Sequence, residues 1–140
     1  IEHLWNLDNF IQETYRILKP GGYAVISTEN LASWHNIFSL LLGFQPFSST
    51  NISRLKCIVN PFALHVSDNR KDSKIHLRSF AHLILLTFQG LKELLEAHNF
   101  KVEKILGAGY YPLPGRLARI LSKIDKRHAA FLTIKVRKQL

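Results

Sequence analysis

The sequence predicts an α/β fold, and three observations carry the prediction. A helical run ends in Lys19-Pro20-Gly21-Gly22 and passes straight into the apolar stretch YAVIS. Helix-patterned and strand-patterned segments then alternate to the end of the chain, as layered α/β folds require. The final stretch, AAFLTIKVRK, alternates apolar and polar residues with a period of two.

In the first helix, Leu7, Phe10, Ile11, Thr14 and Leu18 recur at helical spacing, and Asn6 or Asp8 can cap its start. Pro20 disfavours helix at Lys19, and Gly21-Gly22 permits a tight turn. YAVIS is short, continuous and β-branched, so it reads as a strand covered on both faces, as in a parallel sheet. Ser33 to Leu42 reads as a helix that is apolar nearly all round, with His35, Asn36 and Ser39 as a narrow polar strip. Residues 44–82 follow as a long excursion or lid. A second long helix is expected from about Leu83 to His98, closed by Asn99 in the left-handed conformation. FKVEKIL is then a strand, RLARILSKI a short basic helix, and AAFLTIKVRK a half-covered strand presenting Ala130, Leu132, Ile134 and Val136 on one face. The organisation is therefore a helix–strand–helix core (1–43), the excursion (44–82), and a last helix with a closing strand pair (83–140). One strand covered on both faces needs more neighbours than two further strands provide. The chain is expected to be one part of a larger sheet.

Composition narrows the class. With 46% hydrophobic and 21% charged residues the chain can bury a core. A single cysteine, Cys57, forms no internal disulfide and fits a reducing compartment. The net charge of +9 is concentrated at the end. From Arg116 to Leu140 there are eight basic residues against one acid, Asp125. Such an end is either a solvated surface or a contact for an anionic partner. No apolar run reaches the ~20 residues of a membrane span.

IEHL (Ile1–Leu4), FIQETYRILKPGGYAVISTEN and HLRSF (His76–Phe80) together resemble the class I S-adenosylmethionine-dependent methyltransferases, in the broad group with the ubiquinone/menaquinone-type enzymes. Glu13, Arg16, Leu18, Lys19, Pro20, Gly21 and Gly22 match that family's helix end before its fifth strand. LKELLEAHNFKVEKIL and the terminal AAFLTIKVRK match its last helix and closing strands. The resemblance implies the C-terminal half of a Rossmann-like methyltransferase sheet, one parallel strand plus a closing antiparallel pair, with a long lid-like loop. It implies S-adenosylmethionine as cofactor, a small-molecule or lipid-like acceptor, and a cytoplasmic setting with peripheral contact to anionic membrane. Nucleic acid is not an expected partner. The family's Gly-rich cofactor loop and ribose-binding acid would precede Ile1, so residues 1–140 alone are expected to be inactive. Gly107-x-Gly109 reads as a structural turn instead.

The resemblance also suggests site residues. Glu2 and His3 fall at the carboxyl edge of the sheet, where open α/β sheets bind ligands. There His3 is a candidate catalytic base and Glu2 a substrate contact, or both serve packing and capping. Some quinone O-methyltransferases bind a divalent metal through Glu-x-x-Glu-His. Glu2 and His3 alone are too few for a site, so no metal is assigned. Thr28 and Asn30 end the fifth strand on the same edge and are candidate substrate contacts, with helix capping by Asn30 or Ser33 the alternative. Trp34 opens an aromatic cover that also holds His35, Phe38, Phe44 and Phe47, and suggests a hydrophobic acceptor. His76 and Arg78 form His-x-Arg-x-Phe near the expected pocket mouth, suited to an anionic acceptor. The competing class is a non-catalytic basic and apolar module that binds anionic membrane or nucleic acid.

Overall fold

The computed structural model describes residues 1–49, 52, 58–63 and 82–139. Most of the expected excursion, with Cys57, His76 and Arg78, lies outside them. The described elements are α1 (Leu7–Ile17), β1 (Tyr23–Glu29), α2 (Trp34–Leu41), α3 (Phe88–Ala97), β2 (Phe100–Ala108), α4 (Gly115–Ile124), a 3-10 turn (Lys126–His128) and β3 (Phe131–Lys138). Among the described residues no helix is long and apolar enough to cross a membrane.

Helix α1 starts where Asn6 Oδ1 accepts from the Asn9 amide at 2.9 Å. It ends at the Pro-Gly-Gly turn, where Gly21 takes a φ of 73° that other residues adopt at a cost. The turn docks on the last strand, with Lys138 N–H donating to the Gly22 carbonyl at 2.8 Å. The Lys138 ammonium also donates to the Tyr15 and Leu18 carbonyls, both at 2.9 Å, satisfying acceptors that the helix end leaves open.

The three strands form one sheet in the order β1-β3-β2, with β3 antiparallel to both neighbours. Leu132, Ile134 and Val136 are fully buried, which matches the two-residue period of the last strand. They pack with Ile26 and Phe100 beneath Leu7 and Ile11 of α1 and Leu91 and Leu95 of α3. His98 at the end of α3 bonds Asp8 of α1 across 2.9 Å, and Tyr15 meets Phe100 edge-on at 5.0 Å. An unpaired Glu103 between Val102 and Lys104 shifts the β2 register. Its carboxylate lies 2.8 Å from Lys135 Nζ and also pairs with Arg137. The Arg137 bond, then the Lys135 bond, lower its pKa to about 2.

Among the described residues β1 pairs with the antiparallel β3, and the parallel contact nearby is the single bridge from Asn30 to Leu86. Two expectations need correction. Strand β1 is not covered on both faces among the described residues. Helices cover the Ile26 side, whereas Tyr23 and Val25 on the other side are 56% and 58% exposed. Helix α3 begins at Phe88 rather than Leu83, because Thr87 Oγ1 accepts from the Gly90 amide at 3.1 Å and fixes the start there.

The pair Gly107-x-Gly109 is spent on structure. A Cβ on Gly107 would lie 2.6 Å from Ala129 Cβ and 2.9 Å from Lys126 Cα, so β2 can pass beneath the 3-10 turn only without a side chain. Gly107→Ala is expected to destabilise the protein by about 1–3 kcal/mol in denaturant titration, the usual cost of overpacking. Gly115→Ala, which meets nothing within 4 Å, is expected to leave the midpoint within error.

Candidate active site

The end of β1 is organised by Asn30, whose side chain is fully buried. Its Nδ2 donates to the carbonyls of Arg127 (2.7 Å) and Ala129 (2.8 Å). Its Oδ1 accepts from Ala32 N at 3.1 Å, and its carbonyl accepts from Ser33 N and from Asn36 Nδ2. Asn30 therefore clamps the chain leaving β1 to the segment entering β3, and both N–H groups of its side chain are engaged in that clamp. Ser33 precedes α2 without a side-chain cap, and its buried hydroxyl has no hydrogen-bond partner among the described residues.

The polar strip of α2 faces inward. Asn36 Nδ2 donates to Ser48 Oγ at 2.7 Å, and Asn36 Oδ1 accepts from Ser48 N at 3.2 Å. Ser39 Oγ donates to the Gln45 carbonyl at 2.7 Å, which Asn60 Nδ2 also reaches at 2.7 Å. These bonds fold the 44–49 loop and Asn60 back onto the helix. Between them and the sheet lies a cleft of about 670 Å³. Its walls are aromatic: Phe38, Phe44, Phe47, Phe62, Tyr111 and Phe131. Glu29 and His35 also line it, with the phenol of Tyr111 as a further polar group. His35 sits 5.4 Å from both Phe47 and Tyr111, ring to ring. Burial among these rings lowers its pKa below 6.5, so the imidazole is neutral at pH 7.

A polar cluster adjoins the Glu29 end. Thr28 Oγ1 donates to Glu2 Oε2 at 2.8 Å. Burial opposes ionisation of Glu2, whereas a backbone hydrogen bond and the Thr28 hydroxyl favour its charged form. The rings of His3 and His82 meet edge-on at 4.8 Å. His82 Nδ1 donates to the Ser48 carbonyl at 2.6 Å and lies 3.9 Å from Glu29 Oε2. One ligand atom from each of Glu2, His3 and His82 falls within 4.8 Å of the others. A carboxylate with two imidazoles is the donor chemistry of a zinc-like ion. His82 is the third donor that linear spacing from Glu2 and His3 does not reveal.

The structure thus gathers Glu2, His3 and Thr28, but beside the aromatic cleft rather than in its lining. Trp34 stands outside as well, donating from Nε1 to Asp125 Oδ2 at 3.1 Å and stacking on His128 at 4.7 Å. His76 and Arg78 lie outside the described residues. Glu29 and His35 are the residues of this region that line the cleft with charge or an imidazole. The signal for His35 was its place among Trp34, Phe38, Phe44 and Phe47. An imidazole embedded in an aromatic segment is readily mistaken for part of the packing.

No family model matches the chain. Over 128 residues, 91% of its length, it is 30% identical to a probable S-adenosylmethionine-dependent methyltransferase of Mycolicibacterium smegmatis. It spans 33% of that curated relative, about a third. It also aligns with two solved structures at 14% identity. One is a putative S-adenosylmethionine-dependent methyltransferase from Listeria monocytogenes (96% of this chain, 56% of that one, TM-score 0.46). The other is an S-adenosylmethionine-dependent methyltransferase from Mesorhizobium loti (97% and 57%, TM-score 0.47).

The lowered pKa of His35 has a consequence for stability. The unfolded chain binds a proton near pH 6.5, before the folded chain does. Stability contributed at this site is therefore lost as pH falls through 6.5 toward the folded value. The slope of stability against pH below 6.5 is expected to be shallower in His35→Phe than in the parent. Equal slopes in parallel denaturant titrations would count against a buried neutral imidazole.

Proposed function

We propose that this chain forms the acceptor side of an S-adenosylmethionine-dependent methyltransferase that acts on an apolar acceptor. The observation that carries the proposal is the aromatic cleft with one carboxylate and one neutral imidazole in its lining. Ligand sites of this kind are mostly apolar, with a few placed polar groups that fix orientation. The relative of Mycolicibacterium smegmatis supports the reaction class.

The cofactor, when bound, supplies a methyl group on a sulfonium sulfur. Such chemistry would ask this chain's residues to hold the acceptor atom in line with that methyl group and to take up any proton the acceptor carries. Much of the rate then comes from holding the two partners in line, with a base where a proton must leave. The rings of Phe38, Phe47 and Tyr111 are suited to hold a planar or aliphatic acceptor and to exclude water. Neutral His35 is suited to take its proton. Glu29, lining the cleft and also near His82, marks the end where the methyl group would arrive.

The residues in hand do not fit the rest of the cofactor. Gly107 and Gly109 are committed to packing and a turn, and residues 1–140 hold no other Gly-x-Gly. We assign the main cofactor contacts to sequence outside residues 1–140, in keeping with a relative about three times as long.

The test uses the full-length protein and a donor with a tritiated methyl group, offered a lipid extract and a water-soluble extract. Label is expected to move into organic-extractable product. His35→Ala is expected to lower kcat by about a hundredfold, within the range for a general base, with little change in KM. Label confined to water-soluble products would overturn the apolar acceptor, and an unchanged kcat would remove His35 from the chemistry.

A further inference from the structure

The outer surfaces of α2 and α4 carry a feature that methyl transfer does not use. Helix α4 buries Ala118 and Ser122 and turns its apolar residues outward. Leu117, Ile120 and Ile124 are 51%, 56% and 75% exposed. Their spacing places them on one face, next to an arc of exposed Arg116, Arg119 and Lys123. Helix α2 has the same inverted pattern. Its polar Asn36 and Ser39 are buried, whereas Phe38 and Leu41 are 58% and 76% exposed. The two surfaces are tied at Trp34, which lies 6.0 Å from Phe38 by ring centroids and bonds Asp125 at the end of α4.

The charge around this surface is predominantly positive. Asp125 is the sole acid between Lys104 and Leu140. Its carboxylate is already engaged by Trp34, by Tyr110 at 2.5 Å and by His128 at 2.9 Å. On the cationic side of α4, Lys123 continues into a groove of about 650 Å³ lined also by Lys92, Lys104, Lys126 and Arg127, with Glu103 as the acid among them.

We propose that the outer faces of α2 and α4 dock this protein on an anionic lipid bilayer. Apolar side chains from both helices enter the acyl boundary, and the α4 cations and the basic groove meet lipid phosphates and carboxylates. An amphipathic surface with apolar residues at the front and Arg and Lys beside them is the arrangement that lies in a membrane interface. Nucleic acid fits less well, because its phosphates reward cations at the centre of the contact, where this surface has Ile120 and Ile124. Phe38 belongs to both the docking surface and the cleft wall, so docking would set the cleft against the lipid. The proposal does not depend on methyl transfer and is tested without it.

The experiment is co-flotation of the full-length protein with vesicles of phosphatidylcholine alone or mixed with phosphatidylserine, at low and high salt. Binding is expected to the mixed vesicles, weakening with salt. Ile120→Asp/Ile124→Asp is expected to lower the partition coefficient about tenfold or more, since each loses a buried aliphatic side chain. Ile17→Asp, a change at a 68% exposed position on α1, is expected to bind like the parent. Circular dichroism melts check that all variants fold. Failure to float with mixed vesicles overturns the proposal, as does equal binding to phosphatidylcholine alone or equal loss in Ile17→Asp. Binding to duplex DNA that survives Ile120→Asp/Ile124→Asp but is lost in Arg116→Ala/Arg119→Ala/Lys123→Ala, with no flotation, assigns the surface to nucleic acid instead.

Discussion

The position of the cleft depends on one buried amide. Asn30 joins the end of β1 to the carbonyls of Arg127 and Ala129 and sets the turn that launches α2. Without it, two carbonyls and one amide N–H would be left unsatisfied, at about 1–3 kcal/mol for each buried group. The entry to β3, the turn and α2 are thereby fixed to one another. His35, the second residue of α2, and Phe131, the first residue of β3, consequently face the same space. The aromatic walls are a consequence of that clamp, because α2 leaves it in one direction only.

From there the polar strip of α2 does the rest. Asn36 and Ser39 would ordinarily mark the solvent side of a helix. Here they point inward and hold Ser48, Gln45 and Asn60, so the loop closes over the sheet edge and the apolar residues of α2 are left on the cleft wall and the outer surface. An inward-facing polar strip costs little when every amide finds a partner, as it does for Asn36 and Asn60. This arrangement links the apolar cleft and the apolar exterior through the same short helix, with Phe38 shared between them.

Much of the fold was legible in the sequence because it follows from local chemistry. The alternation in β3 put Leu132, Ile134 and Val136 inside, the Lys-Pro-Gly-Gly turn separated α1 from β1, and Asn99 took a φ of 63° at the end of α3. What could not be read were arrangements made by residues far apart. Burial of YAVIS on both faces was inferred from its composition, but coverage depends on which segments pack there. Asn30 and Thr28 looked available at the strand end. Their partners, Arg127, Ala129 and Glu2, are distant in the chain, and only the fold shows those bonds already made. His82 joined Glu2 and His3 for the same reason. His35 was visible but was counted with the aromatic residues that surround it.

On the proposed function, methyl transfer would take place at the Glu29 end of the aromatic cleft. A crystal structure of the full-length protein with S-adenosylhomocysteine tests this most directly. The account predicts that the sulfur of the bound molecule opens into the cleft beside Glu29, within reach of an acceptor held against His35. A sulfur lying instead against Gly107 and Gly109, or a cleft filled by another part of the chain, would contradict it.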